Sequence, residues 1–113
     1  MQAIEYRIMI GRNVGNKPMD ELEFAQIVRK LEQRIANIEL DNNGSRISGT
    51  TTYLTRGQWQ GTYEDSAIVS AIVIGPYDGR IHSKIREVIR EIKIEAKQES
   101  ILLAKNPVDV EFI

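Results

Sequence analysis

A chain of 113 residues, 42% of them hydrophobic and 27% charged, is long enough for one hydrophobic core and reads as a single globular domain spanning residues 1–113. Its formal net charge of −1 lacks the basic excess of a general nucleic-acid binder, so nucleic acid is not an expected partner. With no cysteine and one histidine, His82, the chain has no disulfide or thiolate chemistry, and a histidine-based metal site or a cofactor is not expected.

Residues 4–10 alternate, with Ile4, Tyr6, Ile8 and Ile10 on one side and Glu5, Arg7 and Met9 on the other. That pattern predicts a strand with one buried face. It also lacks the continuous apolar run of a secretion signal, and no stretch of the chain reaches the length of a membrane-spanning helix. A cytoplasmic protein with no membrane partner is expected. The next segment, GRNVGNKP, is rich in turn formers. GRNVG follows a strand and precedes a helix, as phosphate loops do, but it lacks the lysine-serine pair and the dinucleotide glycine spacing and reads as a turn.

A helix is predicted to begin at Asp20, with Glu23 at capping-box spacing and Met19 and Phe24 as a hydrophobic staple. Phe24, Ile27, Val28, Leu31 and Ile35 form its apolar stripe. Asn42-Asn43-Gly44 reads as a turn and residues 46–55, rich in threonine, as a strand. RGQWQG (56–61), which holds the one tryptophan, Trp59, turns the chain into a strand over 62–74. Gly75-Pro76-Tyr77-Asp78-Gly79 ends that strand. A second helix follows over about 80–97, with Ile81, Ile85, Val88, Ile89, Ile92 and Ala96 as its stripe. Glu87, Glu91, Glu95 and Glu99 recur on its solvated face. Residues 100–105 form the last strand, Pro107 interrupts it, and the tail VDVEFI alternates again.

Strand, helix, strand, strand, helix, strand is the split βαβ, or ferredoxin-like, order. The fold class is therefore α+β: an antiparallel sheet with two helices on one face, the first and third strands central, and an extra C-terminal strand. The third strand is apolar on both sides, with Ile68, Ile72 and Ile74 opposed to Ala67, Val69, Ala71 and Val73. A second copy of the chain covering the open sheet face accounts for this, so a homodimer is expected, with a trimer as the alternative. Arg7 lies on the same open side and needs a carboxylate, such as Glu5, or an anionic ligand if that face is buried.

Candidate chemistry is sparse. Adjacent Glu64 and Asp65 point to opposite faces of a strand and cannot act as a pair. His82 reads as a surface residue, and no serine sits in a nucleophile elbow. An RNA-recognition domain has this element order, but its stacking aromatics are missing from the third strand. The hairpin tip remains, where Arg56, Trp59 and Tyr63 gather an arginine with aromatics, as a ligand-gripping loop would. Trp59 either caps its own core or closes a pocket.

The segments IMIGRNVG, GQWQGTYEDSAIV and KQESILL resemble a group of small uncharacterised proteins from bacteria and their phages. The matching positions are Gly11, Phe24, Gly57, Trp59, Gly61, Glu64, Ser66, Gln98, Glu99 and Ser100. The resemblance spans most of the chain and departs from the group's pattern after Pro107. It implies a ferredoxin-like domain of phage or prophage type and carries no activity with it. With no catalytic set in view, the sequence points away from an enzyme. It points to an oligomeric protein that binds or sequesters a small anionic ligand, such as a nucleotide, between subunits through Arg7, Arg12, Arg56, Trp59 and Tyr63. The alternative is a protein-interaction module that inhibits a host protein through a sheet edge or the aromatic hairpin.

Overall fold

In the computed structural model, the described residues are 1–38, 46–59, 61–75 and 79–113. Strand β1 (Gln2–Gly11) leads through a small hairpin of β2 (Asn13–Val14) and β3 (Lys17–Pro18) into helix α1 (Glu21–Ala36). Strands β4 (Arg46–Trp59) and β5 (Thr62–Ile74) form a long hairpin, followed by helix α2 (Arg80–Glu95) and strand β6 (Leu102–Asp109). The main sheet has the order β4-β5-β1-β6, and every pairing in it is antiparallel. This is the α+β, ferredoxin-like arrangement that the sequence predicts, with β1 and β5 central; the expected extra C-terminal strand is instead the second half of β6, and no separate strand follows it among the described residues.

Alternation along the central strands builds the core. Tyr6, Ile8 and Ile10 of β1 stand opposite Ala71, Val69 and Ala67 of β5, and all six are fully buried. The stripes of α1 and α2 close over them, with Leu31, Ile35, Ile85 and Ile92 also fully buried. The small residues Ala67 and Ala71 leave room for those large aliphatic side chains to approach the sheet. Asp20 caps α1 by accepting the Leu22 N–H at 3.2 Å, and Met19 before it is buried, as the staple requires. Across the helix pair, Arg34 reaches Glu91 and Glu95 at 3.4 and 2.6 Å, and Lys30 reaches Glu95 at 3.3 Å. The two hydrogen bonds from Arg34 and Lys30 hold the Glu95 carboxyl below its ordinary range. Part of the glutamate row read as merely solvated is therefore the seam between the helices.

The structure also changes several expectations. The Ala67–Val73 face is covered by the chain's own helices, and Ile68 and Ile72 are half-buried on the other face. Strand β4 is longer than predicted and carries Arg56 to Trp59 as paired strand up to the Trp59–Thr62 pair. A bulge between Ile47 and Thr50 keeps that long strand in register, with Gly49 at φ 81° absorbing the extra residue. The GRNVGNKP turn contains the β2–β3 hairpin, and β6 runs through Pro107. A proline is tolerated there because β6 is an edge strand with one side unpaired. The tail extends that edge, with Val110 N–H donating to the Met1 carbonyl at 2.8 Å, while Phe112 and Ile113 stay exposed. The predicted Asn42-Asn43-Gly44 turn and residues 76–78 lie outside the described residues. No described helix is long and apolar enough to cross a membrane.

His82 is not the surface residue the sequence suggested. Its ring lies 5.8 Å from that of Tyr6, and its Nδ1 is buried without a hydrogen-bond partner among the described residues. Burial first, then the positive charges of Lys105 on β6 and Arg86 on α2, lower its pKa. The neutral ring is therefore the form that folding favours, and the unfolded chain takes up the proton first. Stability is complete above the ordinary histidine value of about 6.5 and declines as pH falls through and below it. Unfolding midpoints from pH 8 to 5 should show this decline in the wild type, and His82→Gln should flatten it. Leu31→Ala, which empties a fully buried site, is expected to cost about 2–5 kcal/mol in urea unfolding.

Candidate functional site

The candidate site lies at the end of the sheet where β1 leaves it and the β4–β5 hairpin passes. Gly11 pairs with Ser66 in the ladder, and the Arg12 N–H continues it to the Asp65 carbonyl at 2.9 Å. Because side chains alternate along paired strands, Arg12 and Asp65 share the helix side while Gly11 and Glu64 share the open side. The site therefore has two halves, one on each face of the sheet.

On the helix side, Arg12 and Arg56 converge on Asp65. The Arg12 guanidinium donates to the Met19 carbonyl at 2.7 Å and to Asp65 Oδ2 at 3.4 Å. Arg56 Nε donates to Asp65 Oδ1 at 3.2 Å. The two arginines differ in freedom, because the Arg12 side chain is 20% exposed and that of Arg56 71%. They border a cavity of about 670 Å³ whose apolar wall includes Phe24, Val28 and Leu54. Glu21 adds a second carboxylate to the lining, so the cavity carries charges of both signs beside an apolar surface. It is an open groove, with Leu54 80% exposed at its rim, whose volume falls within the range of small-molecule sites.

On the open side, the Glu64 carboxylate accepts the Asn13 N–H at 2.7 Å and lies over Gly11. A Cβ at position 11 would collide with the Glu64 carboxylate, so glycine is what lets the carboxylate sit there. Gln98 Nε2 donates to the Asn13 carbonyl at 2.9 Å from the other direction. Gln98 is aimed by the end of α2, where Lys97 adopts φ 54° and the chain closes with Lys97 N–H to Ile94 O and Gln98 N–H to Lys93 O. That is a Schellman turn with lysine in the left-handed position usually held by glycine. Thr55 and Ser66 share a hydroxyl hydrogen bond of 2.7 Å beside this cluster.

The structure gathers some of the sequence-predicted site residues and separates others. Arg12 and Arg56 meet at the cavity. Tyr63 is 70% exposed on the same hairpin and does not line it. Trp59 ends β4, and its side chain lies outside the described residues. Arg7 stands exposed on the open face, one residue pair from Met9, and makes no ion pair among the described residues. Its expected partner Glu5 instead accepts from Ser70 Oγ at 2.7 Å. The sequence reading missed Asp65 as the link between the two arginines, and Gln98 and Asn13 as supports of Glu64. Alternation keeps Asp65 from pairing with Glu64 and places it beside Arg12. Among the described residues, no three histidine, aspartate or glutamate side chains are grouped to hold a metal ion.

The open face carries one further feature. Tyr53, Ile68, Met9 and Leu102 form a continuous apolar row across all four strands. Tyr53 and Leu102 at its ends are 48% and 59% exposed.

No family model and no curated protein matches this chain. Solved structures do. A phage SAM lyase in its apo state aligns over 97% of this chain and 91% of its own, with a TM-score of 0.60 and 21% identity. A phage SAM lyase in complex with S-methyl-5'-thioadenosine aligns over 92% of this chain and 80% of its own, with a TM-score of 0.53 and 20% identity. An aminobenzoyl-glutamate utilization protein from Klebsiella pneumoniae contains the same fold in 27% of its length, with a TM-score of 0.55 and 10% identity. At these identities the likeness is one of fold. It nevertheless overturns the expectation of a non-enzymatic protein, since a lyase is built on this fold over nearly the whole length of the chain.

Proposed function

We propose that this protein is a lyase of phage or prophage type that cleaves S-adenosylmethionine and releases S-methyl-5'-thioadenosine. The observation that carries the reading is the mixed-charge cavity of Arg12, Asp65 and Arg56 beside Phe24, Val28 and Leu54, within a fold shared with a phage SAM lyase over 97% of this chain. S-adenosylmethionine presents an adenine, a carboxylate, an ammonium and a sulfonium. An apolar wall suits the first, arginine the second, and the Glu21 carboxylate the cationic end. The ligand class thus shifts from a phosphate-bearing nucleotide to a nucleoside with charges of both signs, which a cavity of both signs suits better.

The chemistry asks little of the protein. Release of S-methyl-5'-thioadenosine breaks the bond between sulfur and Cγ of the aminobutyrate, and the electron pair goes to sulfur, which leaves as a neutral thioether. The substrate's own carboxylate, brought to Cγ, forms the new carbon–oxygen bond and closes a lactone. The atoms balance without water, a cofactor or a general base. Holding a charged, flexible chain in the reactive geometry is then the main source of rate, the contribution that effective molarity measures.

Assembly through the open sheet face belongs to the same reading. The Tyr53–Ile68–Met9–Leu102 row is an apolar surface of the kind that copies of a chain cover. Arg7 and Glu5 on that face supply charges of both signs for a symmetric contact. The wild type is expected to sediment as a dimer or trimer, and Ile68→Glu, which puts a charge at the centre of the row, as a monomer.

Incubation of the purified protein with S-adenosylmethionine should yield S-methyl-5'-thioadenosine and a lactone in equal amounts by liquid chromatography with mass detection. Unchanged substrate after prolonged incubation at high enzyme concentration would refute the lyase reading.

A further inference from the structure

The two arginines of the cavity do not play the same part. The Arg12 guanidinium is committed to the Met19 carbonyl and Asp65 and is largely covered, so it ties the start of α1 to β5. Arg56 is held at one point, by Nε on Asp65 Oδ1, and its Nη1 and Nη2 have no partner among the described residues. Those two nitrogens form the edge of a guanidinium that meets a carboxylate with two parallel hydrogen bonds. Asp65 fixes the inner edge of the group and so restricts where the outer edge can go. The result is a single preorganised carboxylate receptor on the rim of a cavity with an apolar wall.

We infer that Arg56 is the specificity-determining residue that binds the carboxylate of the substrate's amino-acid end, with Asp65 as its positioning residue. The inference rests on the lyase reading and adds to it a rule of selection: the site takes adenosyl sulfonium compounds that carry a carboxylate and discriminates against their decarboxylated counterparts. A carboxylate gripped in this way is also oriented, which the lactone-forming step requires.

The experiment measures KM for S-adenosylmethionine and the inhibition constant of decarboxylated S-adenosylmethionine in the wild type, Arg56→Ala and Arg56→Lys. A charge-assisted hydrogen bond of about 1.5–3 kcal/mol corresponds to roughly 10- to 150-fold in affinity. Arg56→Ala is expected to raise KM by that factor and to leave the inhibition constant of the decarboxylated compound unchanged. Arg56→Lys is expected to recover part of the loss, since lysine keeps the charge without the fork. Asp65→Asn should weaken binding of the carboxylate compound in the same selective sense, by freeing the Arg56 side chain.

Two failures are distinguishable. An Arg56→Ala variant that raises both constants equally, or neither, in a protein whose wild type cleaves S-adenosylmethionine, overturns this assignment and leaves the lyase reading standing. A wild type that neither cleaves S-adenosylmethionine nor binds S-methyl-5'-thioadenosine overturns both.

Discussion

The register that sets Gly11 opposite Ser66 is the constraint on which the rest of the site depends. A slip of one residue between β1 and β5 would exchange the faces of every side chain on the moving strand. Tyr6, Ile8 and Ile10 would leave the core, and Arg12 would leave Asp65. The core and the cavity are therefore specified by the same pairing. The fully buried Tyr6, Ile8 and Ile10, with Ala67, Val69 and Ala71 opposite them, hold the register. The arginine–aspartate cluster gains its placement from that burial and needs little binding strength of its own. Its ion pairs are partly exposed, and isolated pairs of that kind stabilise by about 0–1 kcal/mol.

Local strain sits beside the cluster on the open side. Lys97 occupies a left-handed conformation that a residue with a Cβ adopts at a cost of about 1 kcal/mol. Its consequence is the direction of Gln98, which holds Asn13, whose N–H in turn holds Glu64 over Gly11. Three segments far apart in sequence thus meet around the backbone of Asn13. The first strand's terminal glycine, the glutamate after the hairpin and the glutamine after α2 are matching positions of the resemblance drawn from sequence. Their convergence gives those short motifs a common physical purpose: they fix one half-buried carboxylate at the end of the sheet.

Much of the fold was legible in the sequence because it follows from periodicity. The stripe Phe24, Ile27, Val28, Leu31, Ile35 is buried along its whole length, and β5 has the limits its composition suggested. The central position of the first and third strands followed from element order alone. What escaped has a different origin. Two-residue strands such as β2 and β3 have no period to detect, and Pro107 in β6 depends on which strand lies at the edge. His82 depends on Tyr6 and Lys105, which lie on other elements. The site was half legible for the same reason. Arg12 and Arg56 stood out as charges near turns, whereas their shared partner Asp65 is a tertiary fact, 53 residues from Arg12 and 9 from Arg56.

Motif logic stops where the substrate is itself reactive. A base, a nucleophile or a metal cluster is what an enzyme needs when the substrate is unreactive. A sulfonium is activated already, since its positive sulfur is a good leaving group. A substrate that also carries the attacking carboxylate brings both reactants to the site. For such a reaction, the protein's contribution is geometry and charge placement. Those are properties of a cavity with a held arginine and an apolar wall, and they leave no signature of nucleophile and base in a sequence. Of the three carboxylates at the site, Asp65 is engaged by two arginines and Glu64 by the Asn13 N–H, while Glu21 stands exposed on the cavity lining. Under the lyase proposal these contacts hold charge in place, and the proposed reaction asks for no proton to be removed.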